Sequence, residues 1–238
     1  MPGYFADDEG QRRYTRRLFD SSASDYDRFD RLLALGTGSW YRREALLRAG
    51  LAPGMRVLDV AVGTGLVARE AAALVGDAGQ VVGVDPSPGM LAQAQPIGCA
   101  LALGRAESLP IASGSIDFLC LGYALRHLGD LPAAFAEFRR VLRPGGRLLL
   151  LEITQPAGRM QRALLKFYLH RLAPALAHLF ARSRDTSTLY RFYWETIEAC
   201  VPPARIVELL EAAGFAGATR GVSLGMFSEY TAQAPQAR

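Results

Sequence analysis

The chain has 238 residues, half of them hydrophobic, which suits one large domain or a domain with a substantial lid. Its net charge is +4 and its pI near 9.1, but the positive charge is scattered arginine with Lys166 the one lysine, and no basic block alternates with aromatics as a nucleic-acid platform requires. No apolar run reaches the roughly eighteen residues of a membrane span, and the polar start Met1-Pro2-Gly3-Tyr4 lacks a secretory apolar stretch, so a cytoplasmic protein is expected.

Residues 1–13 are polar and expected to be mobile. From Tyr14 to Leu35 apolar and aromatic residues (Leu18, Phe19, Tyr26, Phe29, Leu32, Leu33) recur among Asp and Arg, which predicts helix. Ser39–Ala49 continues as a second helix, broken by Leu51-Ala52-Pro53-Gly54. Strands and helices then alternate. Strands are expected at Val57–Val60, Val81–Val84, Ala100–Leu103, Ile116–Leu121 and, after the Pro144-Gly145-Gly146 turn, Arg147–Ile153; helices at Leu66–Leu74, Met90–Gln95 and Leu131–Leu142. Apolar strands separated by helices imply parallel pairing with both faces buried.

After Ile153 the rhythm changes. Met160–Leu179 and Ser187–Ala199 read as helices rich in aromatics, Ala204–Ala213 as a helix closed by Gly214, and Phe215–Leu224 and Met226–Ala232 as two last strands. The pattern is that of an α/β, doubly wound, mainly parallel, seven-stranded Rossmann-like sheet. Its expected divisions are a helical cap (1–50), a nucleoside-binding core (51–154), a helical lid (155–203) and a segment completing the core (204–238). Cys99, Cys120 and Cys200 lie far apart and are expected as reduced, buried thiols.

The chemistry concentrates at Val57-Leu58-Asp59-Val60-Ala61-Val62-Gly63-Thr64-Gly65 and at Asp85. Gly63 and Gly65 permit a sharp turn with ligand against the backbone, and Asp85 ends the second strand where a carboxylate can accept both hydroxyls of a ribose. Gly63-Thr64-Gly65-Leu66-Val67-Ala68 also satisfies the dinucleotide pattern G-x-G-x-x-A. Asp59 argues against that reading, because a second anion beside a pyrophosphate is repelled in a low-dielectric turn, whereas it balances a cationic ligand such as the amino group of S-adenosylmethionine.

These residues resemble those of class I S-adenosylmethionine-dependent methyltransferases, and within them the ubiquinone/menaquinone biosynthesis C-methyltransferase family. The resemblance runs from about Phe19 to Phe215. Phe19-Asp20-Ser21 through Asp25-Tyr26-Asp27, then Leu35-Gly36 and Trp40-Tyr41-Arg42-Arg43, look like that family's cap. Ala106-Glu107-Ser108-Leu109-Pro110 resembles its adenine loop, and Arg140-Val141-Leu142-Arg143-Pro144-Gly145-Gly146 the turn before strand five. Gly122-Tyr123-Ala124-Leu125-Arg126-His127-Leu128 resembles its S-F-G-L-R-N-V segment, and Tyr190-Arg191-Phe192 with Glu195-Thr196-Ile197 its Y-x-Y-L-x-x-S-I segment.

The resemblance implies a donor site of Asp59, Gly63, Thr64, Gly65, Asp85, Met90, Arg105, Ala106 and Gly122, with Tyr26 from the cap. S-adenosylmethionine would leave as S-adenosylhomocysteine, and no metal is required. Three departures stand out: Arg105 replaces the usual acidic or amide residue at the adenine edge, Gly122 a serine, and His127 an asparagine.

Methylation of an aromatic carbon needs a ring hydroxyl to lose its proton, hence a base on the acceptor side. His127 is expected to take that proton and Arg126 to stabilise the oxyanion; the competing reading is that His127 caps the helix starting near Asp130. Tyr123, Phe167, Tyr190, Tyr193 and Trp194, with Tyr168 and Phe192, are expected to line a flat apolar acceptor pocket, or else to form a packed lid core. The helix from Met160 carries Arg159, Arg162, Lys166 and His170 at helical steps. It either lies on an anionic membrane or is a lid with a solvated basic face, the commoner arrangement.

The resulting expectation is C-methylation of a hydroquinone or related lipophilic phenolic or polyketide acceptor. O- or N-methylation of a specialised small metabolite is the alternative, and an NAD-dependent oxidoreductase or a non-catalytic nucleoside-binding module the more distant ones. A homodimer and peripheral contact with the inner membrane face stay open on sequence grounds.

Overall fold

The computed structural model describes residues 8–33, 36–180 and 185–236. The chain opens with α1 (Asp8–Leu33) and α2 (Thr37–Arg48). Asp8–Arg13, expected to be mobile, are the first turns of α1. The alternating region follows as β1 (Arg56–Val60), α3 (Leu66–Val75), β2 (Gln80–Asp85), α4 (Pro88–Ala94), β3 (Ala100–Leu103), β4 (Ile116–Gly122), α5 (Leu131–Val141) and β5 (Leu142–Ile153). Next come α6 (Arg159–Phe167), a π-turn (Tyr168–Leu172), α7 (Ala173–Phe180), α8 (Asp185–Ala199), α9 (Pro203–Ala212), β6 (Ala216–Ser223) and β7 (Phe227–Gln233). Pro174 lacks the N–H that would bond the carbonyl of His170, which accounts for the wide turn just before α7.

The strands form one sheet in the order β3-β2-β1-β4-β5-β7-β6, parallel from β3 to β5 and antiparallel at β7 and β6. This is the doubly wound, mainly parallel sheet that the apolar runs specify. Side chains alternate between two buried layers. Val57, Phe118, Cys120, Leu149 and Leu151 pack toward Val67, Ala68 and Ala71 of α3, while Leu58, Val60, Leu119, Leu121, Leu148 and Leu150 pack toward Phe135 and Phe138 of α5. Each buried Leu or Phe contributes about 1.5–3 kcal/mol, so these layers fix the strand register.

Pro144-Gly145-Gly146, expected as a turn before strand five, is a bulge inside β5: Leu142 already pairs with Ile116, and the register resumes at Phe118 and Arg147. Cys120 is buried while Cys99 and Cys200 are partly exposed, and all three are free thiols.

The carboxylates of α1 tie it to four other helices or turns. Asp20 accepts from the Ser87 hydroxyl and the Gly89 amide (2.9 Å), Asp27 from the Thr64 hydroxyl, and Asp30 pairs with Arg42 of α2. Asp25 accepts from Thr186 of α8 at 3.4 Å. Gly89 makes the closest approach: a Cβ there would lie 2.9 Å from Asp20 Oδ1 and 3.1 Å from the backbone of Asp20. Gly89→Ala is therefore expected to displace α1 at a cost of about 1–3 kcal/mol, seen as a lower unfolding midpoint and faster proteolysis within α1. An unchanged midpoint and digestion pattern would refute the contact.

Candidate active site

After β1 the chain must turn sharply to enter α3, and it does so through positive φ at Ala61 (54°), Gly63 (57°) and Gly65 (86°). At Gly65 a side chain would strain the positive-φ backbone and push Ile97 aside, since a Cβ would fall 1.8 Å from Ile97 Cδ1. The Val62 amide donates to the Val84 carbonyl (3.1 Å), holding the turn against the end of β2. There Asp85 accepts from the Gly63 amide and from the Ser87 amide, both at 2.8 Å. Burial pushes the Asp85 carboxyl up to about 6, and the two amides offset part of that. Each carboxylate oxygen retains a second acceptor site.

A cavity of about 310 Å³ opens at the carboxyl ends of β1, β2 and β4, at the point where the strand order reverses. Phe19 and Tyr26 of α1 roof it. Ala61, Gly63, Asp85 and Met90 form one wall, Arg105 and Ala106 another. Gly122, Tyr123 and His127 close the far side. Tyr123 adopts φ 60°, a strained conformation for a bulky residue, at the end of β4 just as Ala61 does at the end of β1. Among the described residues no three His, Cys, Asp or Glu side chains gather as a metal site would require.

His127 ends a short 3₁₀ turn (Leu125–His127). Its ring stacks on Phe192 with centroids 5.5 Å apart and planes at 11°, and Phe19 meets it edge-on at 5.3 Å. Its Nε2 is buried and has no hydrogen-bond partner. Burial, with Arg126 adjacent as the second cause, holds its pKa well below the usual 6.5, so the imidazole is neutral at physiological pH. His127 does not cap α5; Asp130 does, accepting from the Ala133 amide at 2.9 Å.

Several expected site residues lie elsewhere. Arg126 is absent from the cavity wall: its buried guanidinium pairs with Glu152 of β5 and donates to the Tyr123 carbonyl (2.7 Å) and Thr196 (3.2 Å). A fork so engaged anchors the loop and does not face an acceptor. Asp59 points into the α3 layer, below the wall, with neither carboxylate oxygen hydrogen-bonded. Desolvation pushes its pKa up to about 7; the Cys120 thiol and the Ala68 amide lie close enough to offset part of this without meeting hydrogen-bond geometry. The Thr64 hydroxyl is spent on Asp27, and Gly65 caps α3 behind the wall.

The aromatic lid divides in the same way. Phe167 is 57% exposed, and Trp194 is buried with Leu165, Leu169 and Ile197. Tyr190 packs edge-on to Tyr193 at 5.6 Å. Tyr193 donates to the Tyr26 hydroxyl (3.1 Å) and flanks His127 at 6.5 Å, one layer behind the wall. Tyr190, Tyr193 and Trp194 are turned into the helical layer because α8 packs on α7, α1 and the π-turn. Phe19 and Glu107, expected only as parts of the cap and the adenine loop, are themselves wall residues, and so is Ser87, which carried no expectation. Ser87 was accessible from the Asp85-Pro86-Ser87-Pro88 string, where a serine before Pro marks an N-cap; its hydroxyl accepts from Met90 at 3.1 Å.

The reversed strand order, the glycine turn at the switch point and a strand-end acid facing the cavity define a class I S-adenosylmethionine-dependent methyltransferase. The residues fit that nucleoside: the nearest atom to a Cβ built on Gly63 is the Ala61 carbonyl oxygen at 4.0 Å, which leaves room against the backbone, and the Asp85 oxygens keep free acceptor sites. The chain belongs to the ubiE/COQ5 methyltransferase family, whose profile matches residues 7–226.

It is 35% identical over 198 residues to a demethylmenaquinone methyltransferase of Mycobacterium sp. (strain KMS), covering 83% of this chain and 84% of that protein. It is 32% identical over 225 residues to the demethylmenaquinone methyltransferase of Symbiobacterium thermophilum, covering 90% of each. A ubiquinone/menaquinone biosynthesis C-methyltransferase of Syntrophotalea carbinolica is 35% identical over 207 residues, with 84% and 85% covered. A Thermotoga maritima structure described as a possible histamine N-methyltransferase shares the fold at TM-score 0.64 and 19% identity, over 92% of this chain and 99% of that one.

Proposed function

We propose that this methyltransferase adds a methyl group to a ring carbon of a hydroquinone or related lipophilic phenol, with the ring hydroxyl directed at His127. The observation that carries this reading is that His127 lines the cavity that also presents Asp85 and Gly63, with its Nε2 buried and unpartnered. A buried ring nitrogen without a partner is costly, and a ligand hydroxyl, which can donate or accept, satisfies it. The names of the similar proteins support the acceptor class.

When bound, S-adenosylmethionine supplies an electrophilic methyl group. The chain's own residues supply position and proton acceptance. Asp85 holds the ribose hydroxyls, the Gly63 backbone and Met90 flank the donor, Ala106 borders the adenine, and the Arg105 side chain is occupied by Glu107 at 3.5 Å. Tyr26 and Phe19 keep water from the roof. As a ring carbon takes up an electrophile its hydroxyl becomes strongly acidic, so an imidazole of low pKa is a sufficient acceptor. Arg126 is a positioning residue that ties Tyr123 and His127 to β5. In this proposal the helices of 155–203 are a lid and 1–50 a cap around the core.

His127→Ala is expected to lower kcat by about a hundredfold or more while the affinity for S-adenosylhomocysteine, read by calorimetry, holds within about a factor of two. With 1,4-dihydroxy-2-naphthoate as test acceptor, mass spectrometry of the product should find carbon methylation; methyl ether alone, or unchanged turnover at saturating acceptor, sinks the proposal. The pH profile follows from the lowered pKa. Because folded His127 takes a proton only well below 6.5, kcat/KM should show no inflection near 6.5, and this residue's cost to stability should grow as pH falls below that value.

A further inference from the structure

Among the described residues nothing covers the outer face of α6. The helix is apolar on two opposite sides: Leu165 is buried against Trp194 and Ile197, while Met160, Leu164 and Phe167, one turn apart on the other side, are 85%, 68% and 57% exposed. The hairpin between β6 and β7 comes up beside the start of this helix, since a Cβ on Gly225 would lie 3.6 Å from Gln161 Oε1. At its tip Leu224 is 79% exposed at φ 52°, a conformation suited to Gly or Asn. Leucine in that turn conformation leaves most of its side chain in water, at a cost to both backbone and solvation.

Between Glu152 and Asp185 the sequence contains no acid, and Arg159, Arg162 and Arg171 are exposed on or next to the helix, while Lys166 lies over the Trp194 ring at 5.6 Å. No helix among the described residues is long and apolar enough to cross a membrane. An apolar stripe flanked by Arg159, with Arg162 and Arg171 nearby and no acid in the segment, on a helix too short to span, matches the requirements of an interfacial helix.

We infer that α6 and the Leu224 tip form a docking surface for an anionic lipid bilayer, with Met160, Leu164, Phe167 and Leu224 entering the acyl boundary and Arg159, Arg162 and Arg171 meeting headgroup phosphates. Each such cation near an anionic surface multiplies affinity about fivefold. The inference rests on the surface alone and is independent of which acceptor is methylated.

The test uses the purified full chain and sedimentation with vesicles of phosphatidylcholine alone or with added phosphatidylglycerol, at low and high salt. Binding should require the anionic lipid and weaken with salt. Leu164→Gln with Phe167→Gln, both at exposed positions, should lower vesicle partition about tenfold or more with an unchanged melting temperature. Leu224→Asn should weaken binding while the melting temperature holds or rises. The inference is overturned if the wild-type chain stays in the supernatant with anionic vesicles at low salt, or if the variants bind as it does. It is also overturned if sedimentation equilibrium shows a dimer that the double variant dissociates, which would assign the face to a second copy.

Discussion

Glu152→Ala is expected to remove about 3–5 kcal/mol of folding stability, a large share of what a domain of this kind possesses. Glu152 is buried on β5 and accepts from the Arg126 amide (3.1 Å), the Arg126 guanidinium and the Ile153 amide (2.8 Å). Arg126, equally buried, lies over the Tyr193 ring at 5.0 Å. Alanine leaves that guanidinium charged in a low-dielectric site, and an arginine cannot shed its proton. Denaturant unfolding measures the loss, and adding Arg126→Met in the same chain should recover most of it by removing the orphaned charge. A single-variant loss under about 1 kcal/mol would show that water reaches the pair.

Asp59 governs the second large effect. Its folded pKa of about 7 exceeds the ordinary carboxylate value, so the folded chain holds a proton that the unfolded chain has released. The associated stability is complete below the unfolded pKa and is lost as pH rises through 7. At 1.36 kcal/mol per unit the difference amounts to about 4 kcal/mol between pH 4 and pH 8. Paired urea series for the ligand-free wild type and Asp59→Asn should therefore diverge with pH, the variant gaining relative to the wild type as pH rises. Asparagine leaves its own polar groups unpartnered, but that penalty does not vary with pH and cancels from the slope. Parallel series would mean the carboxylate ionises freely in place.

The sheet and the donor side of the cavity were legible because their signals are local. Four or five apolar residues between breakers specify a buried strand, and Gly63, Gly65 and Asp85 act within a single strand-turn-strand unit. The acceptor side was less legible. The partner that removes Arg126 from the cavity, Glu152, stands 26 residues away on another strand, and nothing around Arg126 announces it. The aromatics of α8 have the right composition for a pocket, yet which of them faces it depends on how α8 lies on α1. His127 is recognisable as a departure from the family pattern; that its Nε2 is left without a donor is a tertiary fact. The β5 bulge shows a third cause, since Pro-Gly-Gly reads equally well as a turn or as an irregular strand.

One property of α1 bears on how this chain can vary. Its carboxylate fastenings run from Asp20 to Asp30, about 15 Å of helix at 1.5 Å per residue. A substitution on its outer side leaves that spacing untouched. A single inserted or deleted residue between the two ends rotates every later fastening by about 100° around the axis, carrying Asp27 away from Thr64 and Asp30 away from Arg42 together. The helix is thus permissive in composition and intolerant in length, like a ruler whose marks matter more than its material.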